Sequence, residues 1–211
     1  MDIVSPIKAV IWDVGGVLIR TQDQQPRERL AKRYNLTRTE LIALVTDSEE
    51  AVRATIGEIP ESVLWQMVAH TLNIPAGKLA NFKQQFWAGD CFDQELHDFI
   101  GKLKPRFKTG LLSNAWSEAR KETEERFHLL DVFDVLVYSA EVHLAKPDPR
   151  IYQLTLERLG AQPQEAIFVD DFPANIEAAK ALGMHGVRFE NSQQAQQDVI
   201  NILASDEHIP W

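Results

Sequence analysis

The sequence predicts an α/β protein: a doubly wound, Rossmann-like parallel sheet of five strands carrying a small inserted helical domain. Five short apolar, β-branched runs read as strands, at Ile7 to Trp12, Lys108 to Leu112, Asp134 to Tyr138, Ala166 to Val169 and His185 to Phe189. The last four are each followed by a segment of helical period, so strand and helix alternate. Between the first run and the second lies a long stretch whose only periodicity is helical.

In chain order, the first strand ends at Trp12, and from Arg20 to about Ala88 no further strand is expected. Arg27 to Tyr34 reads as a helix. Thr37 followed by Glu40 has capping-box spacing ahead of Leu41, Ile42 and Leu44. Glu61 to Leu72 starts just after Pro60, and Lys78 to Trp87 forms a further helical segment. Residues 20–88 are therefore expected to be a helical insertion over the strand ends, with 1–19 and 89–211 as the core. Phe92 to Leu103 is the expected return helix. Later helices follow from Ala115, Ala119, Thr123 and Phe127; from Ile151, Leu154 and Leu159; from Ile176, Ala179 and Leu182; and from Ala195, Val199 and Ile202. Right-handed crossovers between such units put ligands beyond the carboxyl ends of the strands.

Composition narrows the function classes. With 22 Lys+Arg against 31 Asp+Glu, the formal charge is −9, which repels a nucleic-acid backbone. The short basic segments Arg27 to Arg33 and Lys102 to Lys108 are broken by apolar residues and read as solvated helix faces. No apolar run approaches the ~20 residues a membrane helix needs. Cys91 is the single cysteine, and no basic-then-apolar leader precedes the first strand, so a cytoplasmic location is expected. Histidines at 70, 97, 128, 143, 185 and 208 form no zinc-ligand pattern.

The residues at the strand ends carry the chemistry. Asp13 leaves the first strand into Val14, Gly15 and Gly16, where backbone N–H groups can approach an anion. Ser113 and Asn114 follow the second strand and also read as a helix cap. Asp148 before Pro149 reads as an N-cap, which leaves Lys146 unexplained by capping, a cation fixed beside Pro147. Asp170 and Asp171 end the fourth strand. Asp171 could serve as a cap, but two adjacent carboxylates repel each other and suggest a hard cation such as Mg²⁺, with Asp13 contributing from the neighbouring strand.

Taken in order, Asp13-Val-Gly-Gly-Val, Ser113-Asn114, Lys146-Pro-Asp-Pro and Asp170-Asp171 resemble the haloacid dehalogenase superfamily over nearly the whole chain. The insertion resembles that family's helical cap. Gly57-Glu58-Ile59-Pro60 with Leu64-Trp65 looks like caps near the sugar-phosphate phosphatases and the amino-terminal domain of soluble epoxide hydrolase. The resemblance implies a Mg²⁺-dependent phosphatase acting on a small phosphate ester. Asp13 would be the nucleophile that forms an aspartyl-phosphate. The metal would be held by Asp13, the Gly15 carbonyl, Asp170 and Asp171, with Asp170 preferred as the direct ligand. Ser113, Asn114, Lys146 and the Val14, Gly15 and Gly16 amides would hold phosphate.

One position departs from the family's pattern. Family phosphatases carry a second aspartate two residues after the nucleophile as acid and base, and here Gly15 stands there. General acid–base catalysis is typically worth ~10²- to 10⁴-fold. Three readings follow: a phosphatase for esters whose leaving group needs little help, a metal-independent haloacid dehalogenase, or a protein that binds phosphate or a partner with little turnover. Trp65, Phe82, Phe86 and Trp87 are candidates for a substrate pocket but read more simply as helix packing; Arg20 and Thr21 stand where the insertion joins.

Overall fold

A computed structural model describes residues 7–205. Residues 1–6 and 206–211, the outer ends of the expected core and with them His208, lie outside the described residues. Strand β1 (Ala9–Trp12) is wholly buried. It pairs in parallel on one edge with β4 (Lys108–Ser113) and on the other with β6 (Ala166–Asp170). With β5 (Val135–Tyr138) and β7 (His185–Arg188) they form a parallel sheet in the order β5-β4-β1-β6-β7. Strand β1 is thus the switch point from which the chain builds outward in both directions, where such sheets open a crevice.

Period-two alternation divides the buried strand residues between two faces. Val10, Trp12, Leu111, Ile167 and Val169 meet α6 (Gln94–Leu103) and α11 (Ser192–Ser205). Ala9, Ile11, Leu112, Ala166 and Phe168 meet α9 (Pro149–Leu159) and α10 (Pro173–Ala181). A strand buried on both faces needs apolar residues throughout, which is why AVIW shows no polar alternation.

Helices α1 (Gln25–Arg33), α2 (Arg38–Thr46), α3 (Glu49–Thr55), α4 (Glu61–Thr71) and α5 (Leu79–Phe86) surround a third apolar cluster of their own. Leu41, Leu64, Trp65, Phe82 and Phe86 lie at its centre, so three of the four aromatic pocket candidates pack within the helices. The Thr37–Glu40 capping box forms as expected. Helix α3, absent from the sequence reading, is capped by Ser48, whose side chain accepts the Ala51 N–H.

The chain enters and leaves these helices through an antiparallel ribbon, β2 (Ile19–Thr21) against β3 (Asp90–Phe92). Two expectations are corrected here: Arg20 and Thr21 are strand, and Phe92 ends β3, with the return helix starting at Gln94 behind the Asp93 cap. Three-residue strands show too little alternation to stand out from a helical pattern. An ion-paired network replaces that signal. Arg27 donates to Asp90 at 2.9 and 3.0 Å and to Thr21 Oγ1 at 2.8 Å, and Arg20 donates to Asp93 at 2.6 Å.

A third correction concerns the chain after β4. Helix α7 (Ala119–Phe127) begins behind Glu118, so Ser113 and Asn114 do not cap it, and 114–118 form an irregular loop. A short turn of helix, α8 (Ser139–Val142), follows β5.

Candidate active site

Sheet register assembles the site. Trp12 is level with Val169 of β6 and Leu111 of β4, so the next residue along β1, Asp13, falls beside Asp170, one strand-width from the end of β4. The Asp13 N–H donates to the Val169 carbonyl at 2.9 Å and continues the ladder. Asp13, Ser113, Lys146 and Asp170, distant in sequence, are all buried at this one edge.

Lys146 joins the two inner carboxylates. Its Nζ lies 2.8 Å from Asp13 Oδ1 and 2.6 Å from Asp170 Oδ2, with its side chain 1% exposed. An ammonium so far from water is tolerable only when paired, and here it has two partners. Asp170 is fully buried and fixed on several sides: Oδ1 accepts the Phe172 N–H at 2.8 Å, and Asn175 Nδ2 stands 3.0 Å from both oxygens. Asp171 is exposed and caps nothing; Phe172 occupies the N-cap position of α10. Its carboxylate lies against Gly16, where any Cβ would collide with it and where φ is +80°. Glycine is therefore favoured at 16 by its positive φ, and any side chain there would also displace the Asp171 carboxylate.

Carboxylate oxygens of Asp13, Asp170 and Asp171 lie within 4.8 Å of one another, close to the span of about 4 Å available to two ligands of one Mg²⁺. With Lys146 these groups leave a formal charge of −2 when ionised. An all-oxygen donor set of that charge fits a hard divalent ion. Burial pushes the Asp13 carboxyl up to about 7; Lys146 opposes the rise and Asp170 adds to it. The Asp171 carboxyl is raised too, by burial first and then by Asp170. At buried Asp13 the shift reflects negative charge held out of water, and at Asp171, exposed on its outer side, partial desolvation and the neighbouring Asp170; a cation would relieve both.

Expectations for the amide cradle need correction. The Val14 N–H donates to Asp13 Oδ1 at 2.7 Å, and the Gly16 N–H donates to the Ile19 carbonyl at 2.9 Å, so both are committed to the turn itself. A short turn that re-enters strand β2 at once must satisfy its own N–H groups. Gly15 is exposed, and a Cβ there would meet no heavy atom within 4 Å. Asn114 grips the Lys146 backbone: Nδ2 donates to its carbonyl at 2.9 Å, and Oδ1 accepts its N–H at 2.8 Å. An amide nitrogen carries a second hydrogen, so this grip uses half of what Asn114 can donate.

A cavity of about 670 Å³ runs from Val14, Gly15 and Ser113 to the facing helices, with Trp87 and Trp116 in its walls. Arg20 and Thr21 line it as well, although their polar groups are held by Asp93 and Asp90. Sequence reasoning missed Trp116 and Asn175. A polar residue beside Ile176 in the first turn of α10, two residues after Pro173, was the available signal for Asn175. Trp116 gave none, because its neighbours suggested a helix that starts three residues later.

Comparison with known proteins agrees with this geometry. Residues 7–183 match the family model of the haloacid dehalogenase-like hydrolases. A phosphorylated carbohydrates phosphatase of Thermotoga maritima is 30% identical over 192 residues, 86% of this chain and 84% of the relative. Mouse acyl-CoA dehydrogenase family member 10 is 42% identical over 77 residues, 36% of this chain but 7% of that protein. Mouse bifunctional epoxide hydrolase 2 is 28% identical over 140 residues, 60% of this chain and 25% of that protein, so the chain spans only a small part of these two. Among solved structures, a HAD family enzyme of Bacteroides thetaiotaomicron, in complex with magnesium and inorganic phosphate, shares the fold with a TM-score of 0.74 and 22% identity, covering 86% of this chain and 93% of that one.

Proposed function

The chain belongs to the haloacid dehalogenase-like hydrolases, and from that membership we propose that it is a Mg²⁺-dependent phosphatase of small phosphorylated metabolites, with sugar phosphates the first class to test. The observation that carries this reading is the buried Lys146 ammonium, 2.8 Å from Asp13 Oδ1, beside a trio of carboxylates. Segment 20–88, with its helices α1 to α5, acts as a cap over the strand ends, and a cavity lined from both sides in this way suits a small ligand better than a protein surface.

Lys146 and the Val14 N–H both hold Asp13 Oδ1, so Oδ2 is the attacking oxygen. It bonds to phosphorus as the phosphorus–oxygen bond of the ester breaks, and the leaving oxygen takes a proton from water. Water then attacks the aspartyl-phosphate, releasing inorganic phosphate and restoring the carboxylate. Ser113, the second Asn114 hydrogen, the Gly15 N–H and Lys146 hold the phosphoryl oxygens, and they stabilise most the charge that develops during transfer. Asp13, the Gly15 carbonyl, Asp170 and Asp171 would hold Mg²⁺, which when bound would supply positive charge that lets a carboxylate approach an anionic phosphoryl group.

With Gly15 in place of a side-chain acid, the preferred substrates are phosphates with a good leaving group, such as an anomeric sugar phosphate or an acyl phosphate. Displacing halide from carbon would need no trio of carboxylates, which disfavours a dehalogenase. The test is hydrolysis of an aryl phosphate with Mg²⁺. We expect turnover that disappears on chelation and in Asp13→Asn. Metal-independent chloride release from a 2-haloacid would establish the dehalogenase instead, and Mg²⁺-dependent phosphate binding without turnover would establish the binding protein.

A further inference from the structure

We propose that Trp116 is a positioning residue that makes the geometry of Ser113 and Asn114 depend on the seating of helices α1 to α5. The inference deepens the phosphatase reading and rests on it for its catalytic consequence. It starts from the loop 114–118, which has no helical or strand hydrogen bonding of its own until α7 begins at Ala119. Such a segment takes its shape from what it touches.

Its first half belongs to the sheet. Asn114 holds the Lys146 backbone through both ends of its amide. The Ala115 N–H donates to Ser139 Oγ at 2.9 Å, and the Ala115 carbonyl accepts from Ser139 Oγ at 3.1 Å and from the Ala140 N–H at 3.3 Å. The second half belongs to the helices. The Trp116 indole leaves the sheet and packs edge-on against Trp65 at 5.9 Å and Trp87 at 6.2 Å. Its Nε1–H donates to Thr55 Oγ1 of α3 at 3.2 Å. Ser117 Oγ accepts the Glu61 N–H at 3.2 Å; Pro60, at the N-cap of α4, offers no side-chain acceptor, so Ser117 serves a donor in that first turn.

Consecutive residues are thus tied to two bodies, and the change of owner falls between Ala115 and Trp116. Moving the helices away on the β2–β3 ribbon has to pull the indole from between two tryptophans or drag the loop with it. Dragging it disturbs Ser113 and Asn114, and through Asn114 the backbone of Lys146. Trp116 and Trp87 also line the cavity, so whatever fills the cavity bears on the same indole.

The experiment compares wild type with Trp116→Ala, Trp116→Phe and Thr55→Val. Two substrates are used, acetyl phosphate, whose leaving group is small, and 4-nitrophenyl phosphate, whose leaving group reaches the cavity wall. A positioning role predicts that kcat falls about tenfold in Trp116→Ala with both substrates. Trp116→Phe and Thr55→Val each fall about threefold, and their double variant falls no further than either, because both remove one shared hydrogen bond. A rise in KM confined to the aryl ester, with kcat unchanged for acetyl phosphate, makes Trp116 a mere pocket wall and overturns the proposal. Inorganic phosphate titrated in the presence of Mg²⁺ gives a readout independent of turnover: about tenfold weaker binding in Trp116→Ala supports the coupling, and equal binding overturns it. If wild type hydrolyses neither substrate, the catalytic reading fails while this titration still decides the inference. The milder Trp116→Phe and Thr55→Val variants decide it if Trp116→Ala does not fold.

Discussion

Asn114 closes a two-point hydrogen-bonded ring with the main chain of Lys146, donating to its carbonyl at 2.9 Å and accepting its N–H at 2.8 Å. The lysine that pairs with Asp13 and Asp170 is thereby aimed from its backbone as well as by its ion pairs. Asn114→Ala removes both bonds and leaves that backbone without these partners. It is expected to cost about 1–3 kcal/mol, which for a protein of this size lowers the melting temperature by roughly 2–12 °C. Activity should fall by more than the stability loss explains, measured at a temperature where both proteins are folded. Asn114→Asp, which can still accept but sets a negative oxygen against the Lys146 carbonyl, should be no better than alanine. Unchanged melting in Asn114→Ala would show that the ring is dispensable.

The adjacent glycines of the first turn should respond in opposite ways. Space at Gly15 admits a side chain, so Gly15→Asp should fold normally. Placed to donate a proton to the leaving oxygen, it should raise turnover of simple alkyl phosphates by up to ~10² and of aryl phosphates much less. An equal or absent gain would mean that protons already arrive by another route. Gly16→Ala must adopt an unfavourable backbone conformation and drive its Cβ into Asp171. Loss of Mg²⁺ affinity, seen by calorimetric titration, is the expected result.

Metal binding should carry a proton signature. Burial holds the Asp13 carboxyl at about 7, and only the ionised form ligates a cation, so Mg²⁺ affinity should climb as pH rises through that value. Titration in buffers of different ionisation enthalpy should reveal proton release at pH 6 that fades by pH 8. The same shift works against the metal-free fold. A carboxyl raised above its unfolded value of 3.8 leaves the native state holding the extra proton, so stability is present in full below that value and is lost as pH rises toward and through 7. Thermal melts with and without Mg²⁺ should therefore diverge as pH increases. A constant gap would contradict this account.

Much of the sheet was legible because its strands are apolar runs bounded by residues that cannot continue them, and because Asp13, Ser113 and Asp170 each stand at such a boundary, while Lys146 lies in the loop between α8 and α9. What escaped is instructive in physical terms. Ribbon strands of three residues are held by Arg27, Asp90 and Thr21 across the ribbon, and partners so far apart in the chain leave no local periodicity. Amide hydrogens carry no identity in a sequence, so nothing foretold that Val14 and Gly16 would use theirs within the turn. Trp116 sits in an irregular loop whose conformation is imposed by another part of the fold. Helix α3 had only Ser48 and the acidic residues Glu49 and Glu50 to announce it.

Ile19 and Phe92 stand directly opposite each other in the ribbon, so the chain departs and returns at almost the same spot. Everything between them is, from the sheet's standpoint, a detour with coincident ends. A detour of that kind can lengthen, shorten or exchange its side chains over generations while the strand carrying Asp13 keeps its partners on both edges. What the molecule accepts can therefore evolve on a different clock from what it does to it.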